Sequence, residues 1–547
     1  MRTATIRLVF GIVIACCTLI SNASAQSNQE IRKYTNVKYM VWQVQAGNYE
    51  KAIELCEKRL QKNPDELEPL FGLAMAYGQM GQIEKAMGFV KRAVEGGMPF
   101  ERFLVGPRKL LEPLSTSKAF RAYAKGHTVE LLHGPMLGDV TTNSAKFWVR
   151  TRKETPVQIR LQALDQPSIT SSPVTTTEKK DFTAIISVDN LKPDTPYRYE
   201  VLIDGNAVST QQLPEFRTTM LSDTKTRFHI GFGGGANYNP RNERMWDTVL
   251  SRAPRAFLFL GDNSYFNIPD VAAHQRYFFY RRHSRPEYRR MIASTAMYAI
   301  YDDHDFGGND SIGGPEIDMP PWKRNVTLKT LRENFLNPYY GGGQENPGCW
   351  TDFSIGDVDF FLLDGRYYRT DPRIEHPSML GSVQKKWLLD KLKRSTATFK
   401  IIASPVPWAY GAKPGNQNSA TLGSVPGFQD TWQGFKDERE DIFSFIEQNR
   451  IEGVYLISAD RHRSDAWKIE RENGYDLYEA NTSHLTKNGS HRLMPKAIFS
   501  HKGKPMFGLL TFDMIKSDPE IIYTVIDINN NPVDSLIVKR SQLDFVP

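Results

Sequence analysis

The stretch AMYAIYDDHDFGGND, residues 296–310, joins an apolar run to a dense group of charged side chains. Its last ten residues contain four carboxylates and one histidine, His304. Carboxylates this close together repel one another in a folded protein unless cations neutralise them. The apolar run is too short for an ordinary helix, so it predicts a buried strand that ends in a metal site.

The same scheme recurs in the second half of the chain. Apolar runs occur in residues 227–235, 255–263, 357–366, 398–407 and 452–464, and all except 398–407 are followed by glycines, carboxylates or amides. Such runs favour an α/β domain, in which ligand sites lie at the carboxyl ends of the strands. The side chains expected to converge there are Asp262, Asn263, Asp302, Asp303, His304, Asn309, Asp364, Arg366, Asp460 and His462.

The length and composition are those of an ordinary multi-domain globular protein. The 547 residues exceed one compact domain, and 40% hydrophobic with 24% charged residues supply material for several cores. The net charge of +7 is small for this length, and no basic run stands out. We therefore expect no specific nucleic-acid binding.

The N-terminus has the pattern of an export signal. Two arginines precede the 13-residue apolar run LVFGIVIACCTLI, and Ala23–Ala25 offers a small-residue cleavage site. We expect residues 1–25 to be a signal peptide and the mature protein to be periplasmic or extracellular, with lipid attachment at Cys16 as the less favoured alternative. The run is shorter than the roughly 20 residues that span a bilayer, so no transmembrane span is expected in the mature chain. The remaining cysteines, Cys56 and Cys349, are too few for a disulfide framework.

Residues 35–126 contain a helical repeat. The segments AGNYEKAIELCEKRLQKNPDE and MGQIEKAMGFVKRAVEGGMPF align with Gly47 on Gly81 and Ala52 on Ala86, an offset of 34 residues. That period is typical of tetratricopeptide helix pairs. Two units bury little surface by themselves, so an all-α spacer is the first interpretation and a groove for a protein partner the second.

From residue 131 to residue 220 the periodicity changes from helical to alternating. Short β-branched segments such as AKFWVRT, TAIISV and YRYEVLIDG are separated by turn residues. This pattern predicts an antiparallel β-sandwich. The segment LKPDTPYRYEV carries the Leu-x-Pro-x-Thr-x-Tyr pattern of fibronectin-type-III-like modules, which favours a scaffold without site chemistry.

Five motifs carry a resemblance to a known family. In order they are GDNSYF, YDDHDFGGND, LLDGRYYR, ISADRHRS and YEANTSHLT. The set resembles the alkaline phosphatase D (PhoD-like) family of calcineurin-like metallophosphoesterases, from about residue 133 to the C-terminus. The resemblance implies that residues 226–547 form a four-layer α/β/β/α domain with a dinuclear metal site, which hydrolyses phosphomonoesters, phosphodiesters or both.

The resemblance also implies roles for individual residues. Asp262 corresponds to the metal-bridging aspartate, and Asp303 to a ligand of the second metal. Asp460 and His462 correspond to the late Asp-x-His ligand pair. His304 corresponds to the histidine beside the leaving group, where it would protonate or hydrogen-bond the departing oxygen while a metal-activated water attacks phosphorus.

Two features leave the metals open. Tyr277 or Tyr280 is expected to match the tyrosinate ligand of relatives, which favours ferric iron, and spacing does not decide between the two. Gly234 and Gly235 replace the Ser-Cys of characterised relatives, so a thiolate ligand is missing. Its loss favours harder cations. We expect one or two metal ions among calcium, iron, manganese, magnesium and zinc.

Several candidate residues also have a simple structural interpretation. Asn263 suits a helix cap, Asn309 suits a turn, and Asp302 suits a partner that orients the neighbouring histidine. Asp364 and Arg366 either form an internal ion pair or place the guanidinium on phosphate.

Two classes of function remain. The first is an exported metal-dependent phosphoesterase, an alkaline phosphatase or phosphodiesterase, that acts on a phosphate-ester substrate. The second is a non-catalytic or altered-metal protein that uses the phosphatase fold and the helical repeats as a binding module. The missing cysteine motivates the second class, and the presence of the other ligand motifs favours the first.

Overall fold

The structure is a computed structural model, and it describes residues 39–127, 129–164, 166–209, 212–268, 271–311, 322–413, 426–489 and 491–545. The predicted signal peptide, residues 1–25 with Cys16, lies outside these residues. Within the described ranges no helix is both long and apolar enough to cross a membrane. The chain divides into two compact units: Met1–Thr128 with Asn239–Arg241, and Val129–Tyr238 with Asn242–Pro547.

The first unit is helical. Its helices are Met40–Gln45 (α1), Tyr49–Lys62 (α2), Leu67–Gln79 (α3), Ile83–Glu95 (α4), Glu101–Val105 (α5), Arg108–Ser115 (α6) and Lys118–Ala124 (α7). Helices α2 and α4 begin 34 residues apart, as the repeat predicts. Ala52 and Cys56 lie buried one turn apart on α2, and a Cβ on Gly72 of α3 would lie 2.8 Å from Cys56 Sγ. The predicted helical repeat is therefore confirmed, and a glycine permits its close helix packing.

The second unit begins with two antiparallel sheets. Their strands are Leu131–Gly138 (β1), Ser144–Thr151 (β2), Pro156–Gln162 (β3), Ile169–Thr170 (β4), Val174–Thr175 (β5), Thr183–Asp189 (β6), Pro196–Ile203 (β7), Asn206–Ala207 (β8) and Glu215–Arg217 (β9). One sheet has the order β1-β2-β6 and the other β4-β3-β7-β8, with β5 beside β3 and β9 beside β7. The rings of Phe147 and Tyr199, one from each sheet, lie 4.6 Å apart. The alternating pattern thus buries one face of each sheet against the other.

The rest of the second unit alternates helices and strands. The helices are Met245–Ser251 (α8), Ala272–His283 (α9), Pro286–Ser294 (α10), Asp303–Phe306 (α11), Trp322–Asn334 (α12), Gly381–Arg394 (α13) and Lys436–Gln448 (α14). The strands are Arg227–Gly233 (β10), Ala256–Leu260 (β11), Ala296–Ile300 (β12), Thr351–Ile355 (β13), Val358–Leu362 (β14), Phe399–Ala403 (β15), Val454–Ser458 (β16), Ser464–Ile469 (β17), Leu477–Thr482 (β18), Phe499–His501 (β19), Met506–Asp513 (β20), Glu520–Asp527 (β21) and Pro532–Lys539 (β22).

These strands form two mixed sheets. One has the order β12-β11-β10-β20-β21-β22, and the other β13-β14-β15-β16-β18-β17-β19. Strands β10, β11 and β12 are parallel, and so are β14, β15, β16 and β18. The ring of Phe512 in β20 lies 5.9 Å from Phe360 and 6.1 Å from Phe399, so the two sheets pack through aromatic side chains. Parallel strands bring their carboxyl ends to the same edge, which is where the candidate site residues follow.

The two antiparallel sheets pack directly on the α/β part of the unit. The hydroxyl of Tyr199 in β7 donates to the carbonyl of Ala293 in α10 at 2.7 Å. Asp181 accepts a hydrogen bond from the Tyr280 hydroxyl of α9 at 2.5 Å and pairs with Arg150 at 3.0 Å. All of these side chains are buried. The sandwich segment therefore acts as a scaffold for the helices next to the site.

Candidate metal centre

Sharp turns follow the strands that end at the candidate site. Asp262 comes two residues after β11, and Asp460 comes two residues after β16. Asp262, Asp460 and His462 all have left-handed backbones, with φ of 54°, 67° and 45°. Asp and His adopt this region at some energetic cost, and such strained residues cluster at functional sites. The turns aim ligand-type side chains back across the ends of the sheets.

Asp262, Asp303 and His304 form the first group of possible ligands. The ligand atoms of the three side chains lie within 4.8 Å of one another. Burial raises the pKa of Asp262, and the charges of Asp303 and Asp302 raise it further. For Asp303 burial acts in the same direction, but the positive charges of His304 and Arg366 prevail and lower its pKa. A bound cation would stabilise the two buried carboxylates of Asp262 and Asp303. The structure thus brings three of the predicted site residues together at a place that favours cation binding.

Tyr265 also belongs to this centre, and the sequence reasoning missed it. Its hydroxyl donates to Asp262 Oδ2 at 2.5 Å, and its ring lies 4.3 Å from that of His304 and 6.3 Å from that of His462. Burial raises its pKa, followed by the effect of the Asp262 charge. The available signal was its position in GDNSYF, three residues after Asp262.

The two predicted tyrosine ligands lie in helix α9. Tyr280 is wrong as a ligand, because its hydroxyl is bound to Asp181 at the contact with the sandwich segment. Tyr277 is buried in the same helix, with its ring 5.6 Å from the guanidinium of Arg281, and stays a prediction. Tyr265 therefore replaces Tyr280 as the tyrosine that the structure places next to Asp262.

Asp460 and His462 lie beside the first group, and each of them contacts a cationic side chain. Asp460 pairs with Lys413 at 3.0 Å and with Arg461 at 3.5 Å. These charges overcome the effect of burial and lower the pKa of Asp460. His462 has Nε2 2.5 Å from Lys487 Nζ. Burial, and next the Lys487 charge, lower the pKa of His462, so its imidazole is held in the neutral form that binds metals.

Arg366 forms an internal ion pair, with partners other than the expected one. Its guanidinium donates to Asp302 at 2.7 Å and to both carboxylate oxygens of Asp430 at 2.6 and 3.0 Å. The predicted pairing with Asp364 is wrong, because Asp364 accepts the backbone N–H of Arg366 instead, at 2.9 Å. Asp302 supports Arg366 rather than His304, whose Nδ1 lies 2.6 Å from Asn267 Oδ1. Arg366 thus braces the acidic cluster from within the fold.

A second group of carboxylates consists of Asp303, Asp310 and Asp430. Lys413 pairs with Asp310 at 2.6 Å and with Asp430 at 3.0 Å, in addition to Asp460. Asp430 and Lys413 were not predicted as site residues, because neither follows an apolar run or belongs to a motif. The second group is therefore already neutralised by protein cations.

Three further candidates have structural roles. Asn263 donates its side-chain amide to Ile300 O at 2.8 Å and to Asp305 at 3.1 Å, which ties the ends of β11 and β12 together. Asp364 accepts the Tyr301 hydroxyl at 2.6 Å. Asn309 is hydrogen-bonded to the adjacent Asp310 at 2.8 Å, as the turn interpretation expects. These contacts hold the strand ends in place.

The glycine segment after β10 leaves no room for the missing cysteine. Gly235 has φ of +70°, and a Cβ there would lie 2.9 Å from the backbone nitrogen of His484 and 3.3 Å from Nδ1 of His462. Both nitrogens would be closer than ordinary contact, and the first could move only with its backbone. The departure from the family pattern is thus built into the packing of the chain.

The side chains of the centre fit a hard metal ion. Asp262 and Asp303 offer carboxylate oxygens, Tyr265 offers a phenol oxygen, and His462 offers an imidazole nitrogen. Burial and the neighbouring charges of Asp303 and Asp302 raise the pKa of Asp262, and a bound cation would offset these effects. Oxygen and imidazole donors without a thiolate suit calcium, manganese, magnesium, zinc or iron better than a soft ion.

The candidate centre lies within residues that match a known family model. Residues 230–490 match the family model described as PhoD-like phosphatase. Residues 128–221 match a domain of unknown function, DUF7800, and residues 43–97 match a tetratricopeptide repeat. Residues 230–490 therefore resemble the phosphatase domain of that family.

Similar proteins agree with this assignment. The chain is 28% identical over 126 residues to alkaline phosphatase D of Bacillus subtilis (strain 168), a match that spans 20% of this chain and 21% of that protein. The structure of PhoD superposes with a TM-score of 0.63 at 14% identity, covering 77% of this chain and 92% of the other. Purple acid phosphatase PPD1 from yellow lupin (Lupinus luteus) seeds superposes with a TM-score of 0.54 at 10% identity, covering 74% of each chain. These two structures support the fold.

Proposed function

We propose that this chain is a metal-dependent phosphoesterase that hydrolyses phosphate esters. The observation that carries the proposal is the grouping of Asp262, Asp303 and His304 within 4.8 Å, at strand ends of a PhoD-like domain. This geometry gathers negative charge at one point, where a metal ion and then a phosphoryl group can bind.

Asp262, Asp303, Tyr265 and His462 would hold the metal, with Asp460 beside them. When bound, the metal supplies Lewis-acid chemistry: it activates a water and draws charge from the phosphoryl oxygens. The protein contributes a fixed set of donors. The Tyr265 hydroxyl orients Asp262, and Ser483 Oγ lies 3.4 Å from Nδ1 of His462. These two contacts would fix how the Asp262 carboxylate and the His462 imidazole are oriented toward the ion.

His304 is the residue placed to move a proton. Asn267 Oδ1 lies 2.6 Å from its Nδ1, which makes Nδ1 the donor and leaves Nε2 to exchange a proton with the departing oxygen. Burial lowers the pKa of His304, and the Asp303 charge opposes this effect without overcoming it. When protonated, the imidazole can give a proton to the departing oxygen, which is the role of a general acid.

We further propose a setting for this activity. The export pattern of residues 1–25 supports a periplasmic or extracellular enzyme, with attachment through Cys16 as the alternative. The tetratricopeptide match supports a protein partner for the helical unit. The Leu-x-Pro-x-Thr-x-Tyr segment supports a fibronectin-III-like sandwich, and the two facing sheets support a four-layer α/β/β/α domain.

The test is elemental analysis combined with hydrolysis assays. The purified mature protein is reconstituted separately with calcium, iron, manganese, magnesium and zinc, and its activity on p-nitrophenyl phosphate and bis-p-nitrophenyl phosphate is measured. Asp262→Asn is expected to lose metal and hydrolysis together. The matched control is Asp390→Asn, an exposed aspartate paired with Lys386, which should change neither.

The two esters separate monoesterase from diesterase activity, and the metal series identifies the ion that supports turnover. A protein that holds no metal and hydrolyses neither ester after reconstitution would overturn the proposal. That outcome would favour the second candidate, a non-catalytic binding module. The observation in its favour is that Lys413 pairs with Asp310, Asp430 and Asp460, so a protein cation offsets part of the negative charge beside the centre.

A further inference from the structure

The side chain of Lys487 ends among the candidate metal ligands. Its Nζ lies 2.5 Å from Nε2 of His462 and 4.5 Å from the ring centroid of Tyr265. Lys487 is only half-buried, whereas the two residues it contacts are buried. Lys487 is therefore the most exposed of these three residues.

The backbone fixes Lys487 in this position. The amides of Lys487 and Thr486 both donate to the carbonyl of Gly235, at 3.2 and 3.3 Å, and the amide of His484 donates to Gly234 at 2.8 Å. This pairing requires a close approach of two backbones, which a side chain at Gly235 would prevent. The glycine segment that replaces the cysteine of the relatives thus holds Lys487 in place through backbone hydrogen bonds.

The surrounding charges show that Lys487 has a different task from the other buried cations. Lys413 and Arg366 each form direct ion pairs with carboxylates. Lys487, in the part of the chain that the structure describes, forms no ion pair and instead points its ammonium at a neutral imidazole. Its amine therefore lies at the centre without a carboxylate partner among the described residues.

We propose that Lys487 binds the phosphoryl group of the substrate at this centre, an inference that rests on the proposed phosphoesterase function. A metal ion held by His462 would displace the ammonium from Nε2, and the N–H donors of Lys487 would then become available to another acceptor. Because Nζ lies 2.5 Å from a ligand atom, a phosphoryl group held at the centre is within its reach. A lysine ammonium is a strong point-charge partner for phosphate oxygens.

The experiment measures binding of inorganic phosphate to the metal-loaded full-length mature protein by calorimetry, with metal per chain measured in parallel. Lys487→Met is expected to weaken phosphate binding about 10–100-fold, the range for a charged hydrogen bond. Lys487→Arg, which keeps the charge, should recover most of the affinity. Lys502→Met removes an exposed lysine elsewhere and should bind phosphate as the wild type does. All variants should retain the same metal content.

Five results would separate the possibilities. Phosphate affinity within about twofold of wild type in metal-loaded Lys487→Met would overturn the inference, and so would a wild type that does not bind phosphate. Loss of metal in Lys487→Met would also overturn it, because Lys487 would then support the ligand set. Lysine-dependent phosphate binding in a protein that hydrolyses no ester would keep the inference and overturn the proposed function. Hydrolysis with unchanged phosphate affinity would do the reverse.

Discussion

A side chain at Gly235 should damage the centre more than its small volume suggests. In Gly235→Ala, the new Cβ would lie 2.9 Å from His484 N, 3.0 Å from Ser483 Oγ and 3.3 Å from His462 Nδ1. The hydroxyl of Ser483 can rotate away, but the nitrogen of His484 is part of a backbone hydrogen bonded to Gly234 at 2.8 Å. Relief therefore requires the loop to move away from the glycine segment, and His462 with it.

Two costs add up at this position. The left-handed φ of +70° costs a residue with a Cβ about 1–2 kcal/mol. Forcing a methyl group into a packed contact costs a further 1–3 kcal/mol or so. We therefore expect Gly235→Ala to lower the free energy of unfolding of the second unit by about 2–5 kcal/mol. Gly343→Ala isolates the first cost, because Gly343 has φ of +80° and nothing within 4 Å of the added Cβ.

The assay compares the two alanine variants by urea unfolding and by metal content per chain. Gly343→Ala should lose about 1–2 kcal/mol and keep its metal. Gly235→Ala should lose more stability and also bind metal more weakly, because His462 is displaced. A Gly235→Cys variant that is as stable as the wild type and binds additional metal would refute the reasoning, since the cysteine would then fit without moving the loop.

The other predictions concern a proton, an ion pair and a pH effect. His304→Ala should lower kcat for aryl phosphates about 10²–10⁴-fold with metal content unchanged; loss of metal instead would make His304 a ligand. Arg366→Met leaves Asp302 and Asp430 buried without their guanidinium and should cost about 3–5 kcal/mol in urea unfolding, and a cost below about 1 kcal/mol would contradict the ion-pair role. Burial lowers the pKa of His484 to about 4. The unfolded chain, with a pKa of about 6.5, takes up the proton first, so this neutral histidine costs stability as pH falls from about 6.5 to 4, by about 3 kcal/mol. Urea midpoints of the wild type should therefore fall relative to His484→Gln over that range, and parallel pH profiles would contradict the assignment.

The strand ends of the centre were predictable because their signal is local. Asp262, Asp303 and Asp460 each follow a short apolar run within three residues, and that pattern requires a buried strand followed by an exposed or ligand-binding turn. Parallel pairing then brings such ends to one edge, whatever the details of packing. The helical repeat was predictable for a similar reason, since an offset of 34 residues is visible without any tertiary contact.

The partners of these residues were not predictable, because they depend on tertiary packing. In the sequence, Tyr280 was as suitable a metal ligand as Tyr277. Its hydroxyl, however, donates a hydrogen bond to Asp181 of the sandwich segment, 99 positions away. Asp430 reaches Arg366 from 64 positions away and carries no local motif. Arg366 pairs with Asp430 rather than with Asp364, which lies two residues before it. The Asp364 carboxylate instead accepts hydrogen bonds from backbone amides at the strand end. Charge pairing at this range is decided by which segments the fold brings together.

The distribution of cations assigns the two carboxylate groups different tasks. The group of Asp303, Asp310 and Asp430 has Lys413 within 2.6 Å of Asp310 and 3.0 Å of Asp430, while Arg366 also pairs with Asp430. A metal ion there would gain little electrostatic energy, because Asp310 and Asp430 already pair with protein cations. The group of Asp262, Asp303 and His304 has no ammonium in direct contact among the described residues, and Asp262 carries a raised pKa that a cation would relieve. A metal ion is therefore stabilised most on the Asp262 side, beside Tyr265 and Lys487. The backbone amide of Asp310 donates to Asp303 Oδ2 at 2.6 Å, which holds that carboxylate in position.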